Sequence, residues 1–325
     1  MRTQVYNLKK VPYLGNNKIT YLEFNTSNLC NLVCVGCNPA WSTSWGEFRQ
    51  NIPWWNEFRQ NNGWAWETKD WSRKNFPEWK QHPARSDFVN EFVSKVDLSN
   101  LTNITFKGGE PFLNKEIIML LEYLDSINVL KNISINITTN GTASPDKYLT
   151  LLDKCKIVKF NISIDGLGKL NQYIRFDPKN PEKSHTDEIK KNILTYKQLS
   201  NYYLRLATTV QAHNIFNLSE LADWWHEEIT PTKYKVHEGF SHLLFYPIEC
   251  SLNVFSDNTR RLLIERYEKL NSFGQYQIII NQLSRPYTGD KWHNQFVKYT
   301  QALDKTRLAT FVELVPEAAD EMILL

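Results

Sequence analysis

NLCNLVCVGCNP, residues 28–39, places Cys30, Cys34 and Cys37 in a C-x3-C-x2-C arrangement directly after the first predicted strand. A structural zinc site takes four protein ligands, yet no fourth cysteine lies nearby and the nearest histidine is His82. Thiolates also suit a cubane iron-sulfur cluster, where three cysteines would leave one iron open to another ligand. The loop therefore predicts a metal centre with a free coordination position.

The segments around this loop predict parallel βα units. Short β-branched or aromatic runs recur, each followed by a loop and a helical pattern. The six predicted strands cover residues 19–25, 101–108, 133–140, 157–165, 203–211 and 241–248. They predict an α/β fold, a partial and open (β/α)6 TIM-like barrel with parallel strands. The cysteine loop would then lie at the C-terminal mouth, where such barrels build their sites.

The predicted strands alternate apolar and polar residues. In the fourth, Phe160 and Ile162 share one face, whereas Asn161 and Ser163 share the other. If the apolar face meets the helices, the polar face lines the barrel interior and implies a lumen for water or a polar ligand. A two-layer sheet with one solvated face is the alternative.

One main domain with appendages is expected from the chain length. A chain of 325 residues with 42% hydrophobic content can bury one large core. We divide it into an N-terminal segment (1–18), a barrel core (19–250) and a mostly helical C-terminal extension (251–325). A Trp-rich insertion after the first strand, about residues 41–97, holds eight of the eleven tryptophans. It is expected either to pack on the barrel edge or to face the substrate.

The composition excludes several classes of protein. A net charge of +3 from 38 basic and 35 acidic residues argues against a nucleic-acid binder. Five cysteines are too few for a disulfide scaffold. The sequence has no apolar run of membrane-spanning length, and its first ten residues lack the apolar core of a signal peptide. We therefore expect a cytoplasmic protein without a membrane partner.

Three further motifs follow the cysteine loop in order, each after the next predicted strand: GGEP at 108–111, TNG at 139–141 and SIDG at 163–166. Over roughly residues 19–248 the chain resembles the radical S-adenosylmethionine superfamily, particularly its branch with SPASM or twitch extensions. The resemblance implies a [4Fe-4S] cluster on Cys30, Cys34 and Cys37 whose open iron binds S-adenosylmethionine. It also implies reductive cleavage of that cofactor to a 5′-deoxyadenosyl radical, which abstracts hydrogen from a substrate.

The resemblance assigns the GGEP turn to the methionine part of the cofactor. Gly108 and Gly109 would let the backbone approach the ligand closely, near its amino group. Glu110 would bind the methionine ammonium, and its alternative role is to cap the following helix.

Four more residues are implied as cofactor contacts. Ser163 and Arg175 would bind the methionine carboxylate, with a surface arginine as the alternative for Arg175. Asn140 and Asp165 would meet ribose hydroxyls, and either could instead be a turn residue beside its glycine.

The sequence departs from the family pattern in two places. Gly36 stands before the last cluster cysteine, where relatives often have an aromatic residue, so Phe245 or Tyr246 is expected to contact the adenine instead. Only Cys155 and Cys250 remain outside the loop, too few for an auxiliary cluster, and a single cluster is expected. Both are expected to be buried inert thiols, although Cys250 could serve as a hydrogen donor.

The sequence leaves the substrate open among three hypotheses. The first is a radical enzyme that modifies a peptide or protein residue, and the second applies the same chemistry to a small metabolite or nucleotide. The third is a non-catalytic zinc-binding module. The first two need an external one-electron donor of the flavodoxin or ferredoxin kind. For His213, a turn role is favoured over proton transfer.

Overall fold

A parallel sheet of five strands forms the centre of the protein. The computed structural model describes residues 18–25, 27–39, 41–50, 88–231, 240 and 242–324. Its strands are β1 (Tyr21–Phe24), β2 (Val33–Cys34), β3 (Asn103–Phe106), β4 (Ser134–Thr139), β5 (Ile157–Ile162), β6 (Arg175–Phe176), β7 (Tyr202–Leu206), β8 (Thr209–Val210) and β9 (His242–Leu243). The large sheet has the order β1-β3-β4-β5-β7, and every neighbouring pair is parallel.

The fifth predicted strand, 203–211, is two strands in the structure, β7 and β8. The break has a local cause, because the backbone N–H of Thr209 donates to the Asp165 carboxylate at 2.8 Å instead of to a neighbouring strand. Beyond the break, β8 pairs in parallel with β9, which lies in the sixth predicted strand. Strands β8 and β9 form a two-stranded parallel sheet separate from the five-stranded one, and the prediction of a partial barrel with parallel strands is confirmed.

Helices connect the strands and cover one face of the sheet. They are α1 (Thr43–Gln50), α2 (Phe88–Lys95), α3 (Lys115–Ser126), α4 (Leu149–Leu152), α5 (Gly168–Ile174), α6 (His185–Tyr196), α7 (Leu218–Trp224), α8 (Asp257–Leu270), α9 (Gln277–Leu283), α10 (Asp290–Asp304) and α11 (Phe311–Leu314). Asn114 caps α3 by accepting from the Glu116 N–H at 3.1 Å. None of the helices in the described ranges is long and apolar enough to cross a membrane.

The two faces of the sheet differ as the alternation predicts. Ile135, Ile137, Val158 and Phe160 are buried in the core. The opposite face lines an open cavity of about 590 Å³ whose walls include polar and charged side chains. They are Asn103, Thr105, Ser134, Asn136, Lys159, Asn161 and Arg205. The wall of this cavity therefore combines polar and charged side chains with apolar ones, among them Ile104 and Ile157.

The C-terminal extension is helical, as predicted, and it shares the hydrophobic core of the barrel. Phe296 of α10 and Phe311 of α11 are fully buried, with ring centroids 5.3 and 5.1 Å from that of His213. Of the Trp-rich insertion, the structure describes residues 41–50 and 88–97, apart from the side chains of 49 and 50. Trp45 is fully buried and Trp41 is 45% exposed. The other tryptophans predicted there lie outside the described residues.

Candidate metal centre and cofactor site

The cysteine loop, residues 27–39, follows β1 and is fastened by the first turn of α1. The Ser44 hydroxyl donates to the Cys30 carbonyl at 2.8 Å, and the Trp45 indole N–H donates to the Cys34 carbonyl at 2.9 Å. These bonds satisfy backbone groups that a loop around three cysteines cannot pair with itself. The Trp45 side chain, placed by sequence in the insertion, is thus a support of the loop.

The middle of the loop forms a short antiparallel pair with the segment after the SIDG motif. Strands β2 and β6 set Cys34 opposite Arg175. The Val35 N–H continues the pairing by donating to the Ile174 carbonyl at 2.8 Å. Main-chain hydrogen bonds therefore join the cysteine loop to the segment that follows the SIDG motif.

The three thiols are half-buried close neighbours. Burial is the largest cause that raises the pKa of each, and it brings that of Cys37 to about 12. The Cys34 sulfur raises the pKa of Cys30 and Cys37 further. Without a cation these groups stay protonated, whereas a metal would be bound by the thiolates with release of protons.

Nitrogen donors lie beside two of the sulfurs, and such donors tune the reduction potential of a thiolate-bound cluster. The Asn140 Nδ2 is 3.9 Å from the Cys30 Sγ, and the Arg175 Nη1 is 3.9 Å from the Cys34 Sγ. Within the described residues, no three His, Cys, Asp or Glu side chains converge on a point for a single metal ion. In a cubane, each thiolate ligates its own iron. The three thiols and the N–H donors beside two of them suit a [4Fe-4S] cluster by donor type.

Gly109 brings the GGEP turn against the cysteine loop. Its φ is +47°, and a Cβ there would lie 2.3 Å from the Leu29 carbonyl oxygen. The next N–H, of Glu110, donates to the same oxygen at 2.7 Å. The close backbone approach predicted for a ligand is thus made here to the loop itself, and at Gly108 the nearest neighbour is the Asn25 side chain.

Glu110 is buried among donors of the chain. Its carboxylate accepts from the Thr139 hydroxyl at 2.6 Å, the Asn140 N–H at 2.7 Å and the Phe112 N–H at 3.2 Å. Burial raises its pKa to about 7, although these hydrogen bonds act to lower it. The capping role is realised on the turn at Pro111–Leu113. A carboxylate offers about four acceptor sites, so one remains for a further donor.

Asn140 joins the TNG turn to the cysteine loop. Its Nδ2 donates to the Asn31 Oδ1 at 2.9 Å, and its Oδ1 accepts from the Thr142 N–H at 2.9 Å and hydroxyl at 2.8 Å. Asn31 and Thr142 also bond to each other at 2.9 Å. The sequence did not single out Asn31 or Thr142, and only their adjacency to motif residues could have done so.

Asp165 and Arg175, predicted as separate cofactor contacts, form an ion pair at 2.8 Å. Both are buried, so the alternative of a surface arginine is wrong. Burial acts to lower the pKa of Arg175, but the Asp165 carboxylate raises it overall. Ser163 is half-buried, and its hydroxyl makes no hydrogen bond to any described residue, so it is free to bind a ligand.

Leu244 lies beside Gly36, the position at which the sequence lacks the aromatic residue common in the family. A Cβ at Gly36 would lie 2.7 Å from the Leu244 Cδ2. Leu244 follows β9 and is held there by its N–H, which donates to the Val210 carbonyl at 2.9 Å. The expected adenine contacts, Phe245 and Tyr246, follow directly and are 47% and 66% exposed.

The C-terminal extension reaches the cysteine loop, which the sequence did not predict. The Tyr299 hydroxyl donates to the Val35 carbonyl at 2.9 Å. Arg307 donates through Nη2 to the Val33 carbonyl at 3.2 Å and through Nε to the Tyr173 carbonyl at 3.0 Å. Residues of α10 and of the segment after it thus donate hydrogen bonds to the loop carbonyls on either side of Cys34.

The remaining candidates from the sequence, His213, Cys155 and Cys250, are buried. The His213 Nε2 lies 3.0 Å from the Thr300 hydroxyl, and burial lowers its pKa to about 3, so it stays neutral. Cys155 is buried, and its pKa is raised to about 12 by burial. Cys250 is fully buried.

Comparisons with known proteins give one family. A family model described as the Radical SAM superfamily matches residues 24–201, more than half of the 325 residues. A GTP 3′,8-cyclase of Alkaliphilus oremlandii is 25% identical over 155 residues, which are 48% of this chain and 38% of that protein. An uncharacterized protein of Methanocaldococcus jannaschii is 29% identical over 192 residues, 58% of this chain and 61% of that protein.

A solved structure of tagged anSMEcpe with bound AdoMet is similar to 82% of this chain and 62% of its own, with a TM-score of 0.49 and 15% identity. The chain thus spans well under half the length of the GTP cyclase it matches and less than two thirds of this structure.

Proposed function

This chain belongs to the Radical SAM superfamily and is a radical SAM enzyme, and we propose that its one [4Fe-4S] cluster is held by Cys30, Cys34 and Cys37. The observation that carries the proposal is the group of three neighbouring thiols with N–H donors 3.9 Å from two sulfurs. When bound, the cluster and S-adenosylmethionine supply one-electron cleavage to a 5′-deoxyadenosyl radical. The electron comes from an external flavodoxin- or ferredoxin-like donor.

The residues of the chain bind and orient the cofactor. Glu110 has one acceptor site left for the methionine ammonium, and the free Ser163 hydroxyl is suited to the carboxylate. Arg175 has N–H groups beyond those that face Asp165 and Cys34, and these donate to the same carboxylate. Asn140, which bonds to Asn31, shapes the loop around the cofactor.

The lumen favours a polar substrate. By the motif resemblance, the first candidate is a residue of a peptide or protein. A nucleotide is the second candidate, and the matched relatives favour it because they include GTP 3′,8-cyclases.

Anaerobic reconstitution followed by S-adenosylmethionine and dithionite tests the radical chemistry. We expect 5′-deoxyadenosine from the wild-type protein and none from Cys34→Ala, which should lack the visible absorbance of the cluster. Cys155→Ala is the matched control, because it removes a buried thiol outside the loop, and it should keep both signals. No 5′-deoxyadenosine from a protein with a verified cluster would refute the function, and about one zinc without iron per chain would indicate the non-catalytic alternative.

Product formation with added substrates separates the two candidates. GTP and peptides that span varied sequences are added in separate anaerobic reactions. The substrate is the one whose deuterium-labelled form transfers label into 5′-deoxyadenosine. Label from the nucleotide alone would reject the peptide candidate.

A further inference from the structure

Arg307 is a buried cation that contacts the cysteine loop from outside the family-matched segment. It is 8% exposed, and it holds the carbonyls of Val33 and Tyr173. Its guanidinium carbon lies 4.3 Å from the centroid of the Phe176 ring. Phe176 is in β6, which pairs with the strand that contains Cys34. The guanidinium is therefore held against the pair of strands, β2 and β6, that contains Cys34.

No carboxylate of the described residues lies within ion-pair distance of Arg307. The acid that interacts with it, Asp304, accepts instead from the Tyr173 hydroxyl at 2.8 Å and the Phe311 N–H at 2.9 Å. Burial lowers the pKa of Arg307 to about 10, so it is still charged at neutral pH. A buried charge that forms no ion pair is costly, and buried charges are usually paired with an opposite charge.

The proposed cluster would supply the counter-charge, because its cysteine ligands bind as thiolates. Arg307 donates through Nη2 to the carbonyl of Val33, the residue before Cys34, at 3.2 Å. The other guanidinium at Cys34, that of Arg175, is already paired with Asp165 at 2.8 Å. Of these two cations, Arg307 is the one with no carboxylate of the described residues at ion-pair distance.

We propose that Arg307 is a positioning residue that makes the cluster on Cys30, Cys34 and Cys37 easier to reduce, an inference that rests on the proposed function. Reduction adds one electron, supplied by the external donor, and makes the thiolate-bound cluster more negative by one charge. No covalent bond of the protein forms or breaks. A fixed cation in a site shielded from water stabilises the more negative state more strongly. The hydrogen bond to Val33 keeps the cation in place.

The test compares substitutions that separate charge from contact. Arg307→Met removes the charge and keeps much of the side-chain length, whereas Arg307→Lys keeps the charge and loses the planar fork. Tyr299→Phe is the matched neutral control, because it removes another C-terminal hydrogen bond to the loop, at Val35. Each protein is reconstituted, its iron is measured, and the cluster is titrated anaerobically against redox mediators with the reduced form followed by electron paramagnetic resonance.

We expect the ratio of reduced to oxidised cluster at a fixed potential to fall about tenfold in Arg307→Met, as for a unit charge on the order of 10 Å away at an effective dielectric of about 20. For one electron this is about 59 mV. Arg307→Lys and Tyr299→Phe should stay within about twofold of the wild type. If Arg307→Met does not load iron, Arg307→Gln, which keeps an N–H donor for Val33, takes its place.

Two outcomes overturn the proposal. One is an unchanged midpoint in a fully loaded Arg307→Met or Arg307→Gln protein. The other is an equal shift in Arg307→Lys, which would assign the effect to the hydrogen bonds and not to the charge. A wild-type protein that binds no cluster at all would instead refute the proposed function, so the two failures are distinguishable.

Discussion

Replacement of Gly109 by alanine tests whether the GGEP turn is built to fit the cysteine loop. The residue has a φ of +47°, and a Cβ would lie 2.3 Å from the Leu29 carbonyl oxygen, a backbone atom. Gly168 is the matched control, because its φ is +50° and nothing lies within 4 Å of the added carbon. Both substitutions impose the same left-handed strain, about 1–2 kcal/mol. Only Gly109→Ala must also move the loop.

The extra loss at Gly109 follows from the contact it breaks. To relieve the overlap, the Leu29 carbonyl has to shift, which weakens its 2.7 Å bond from the Glu110 N–H. That bond contributes about 1 kcal/mol. We therefore expect Gly109→Ala to lower the free energy of unfolding by about 3 kcal/mol and Gly168→Ala by about half as much. The reduced entropy of the unfolded chain is common to both and cancels in the comparison.

Urea unfolding of the metal-free proteins, followed by circular dichroism, measures the two free energies. Iron per chain after anaerobic reconstitution is the second measurement, and it should fall in Gly109→Ala and not in Gly168→Ala. Equal unfolding free energies for the two variants, within about 0.5 kcal/mol, would show that the loop accommodates the carbon freely. The close approach at Gly109 would then have no energetic role.

Three further perturbations have defined outcomes. Asp165→Asn removes the negative charge that lies 2.8 Å from the buried Arg175 guanidinium, and it should cost about 3–5 kcal/mol in urea unfolding; a loss under about 1 kcal/mol would contradict the ion pair. Burial raises the pKa of Glu110 to about 7 from 4.5, so the folded state holds the proton more tightly. Its stabilising contribution is complete below about pH 4.5 and is lost as the pH rises through about 7; in the metal-free protein this dependence should vanish in Glu110→Gln, and its persistence there would assign it to another group. Removal of iron by an anaerobic chelator should lower the melting temperature of the wild-type protein and leave that of Cys34→Ala unchanged.

The backbone plan could be predicted from local sequence. Apolar residues recur at every second position of the strands, and Phe160 and Ile162 of β5 are both buried, as this pattern predicts. The break between β7 and β8 could not be foreseen, since it depends on the Asp165 side chain, 44 positions before Thr209. Periodicity reports which face a residue occupies but does not report which side chain competes for a backbone group.

The proposed metal ligands are easier to identify in the sequence than the residues around them. Cys30, Cys34 and Cys37 lie together because they are close in sequence. The partnership of Asp165 with Arg175 was missed because each was assigned to the cofactor separately. Arg307 had no signal at all, because it lies 274 positions from Val33 and carries no motif. Such long-range pairs appear only when the chain is folded.

Tyr299 and Val35, which are joined by a hydrogen bond, lie 264 positions apart in the sequence. The cysteine loop can gain this contact only after α10 has been synthesised. The ribosome releases the cysteine loop early, and domains generally fold in the order in which they emerge. The carbonyls beside Cys34 nevertheless wait for α10 and Arg307, which are made much later. The loop is thus complete only after translation has passed residue 307. We therefore expect the proposed cluster to be inserted after translation, when α10 and the segment that carries Arg307 can hold the loop.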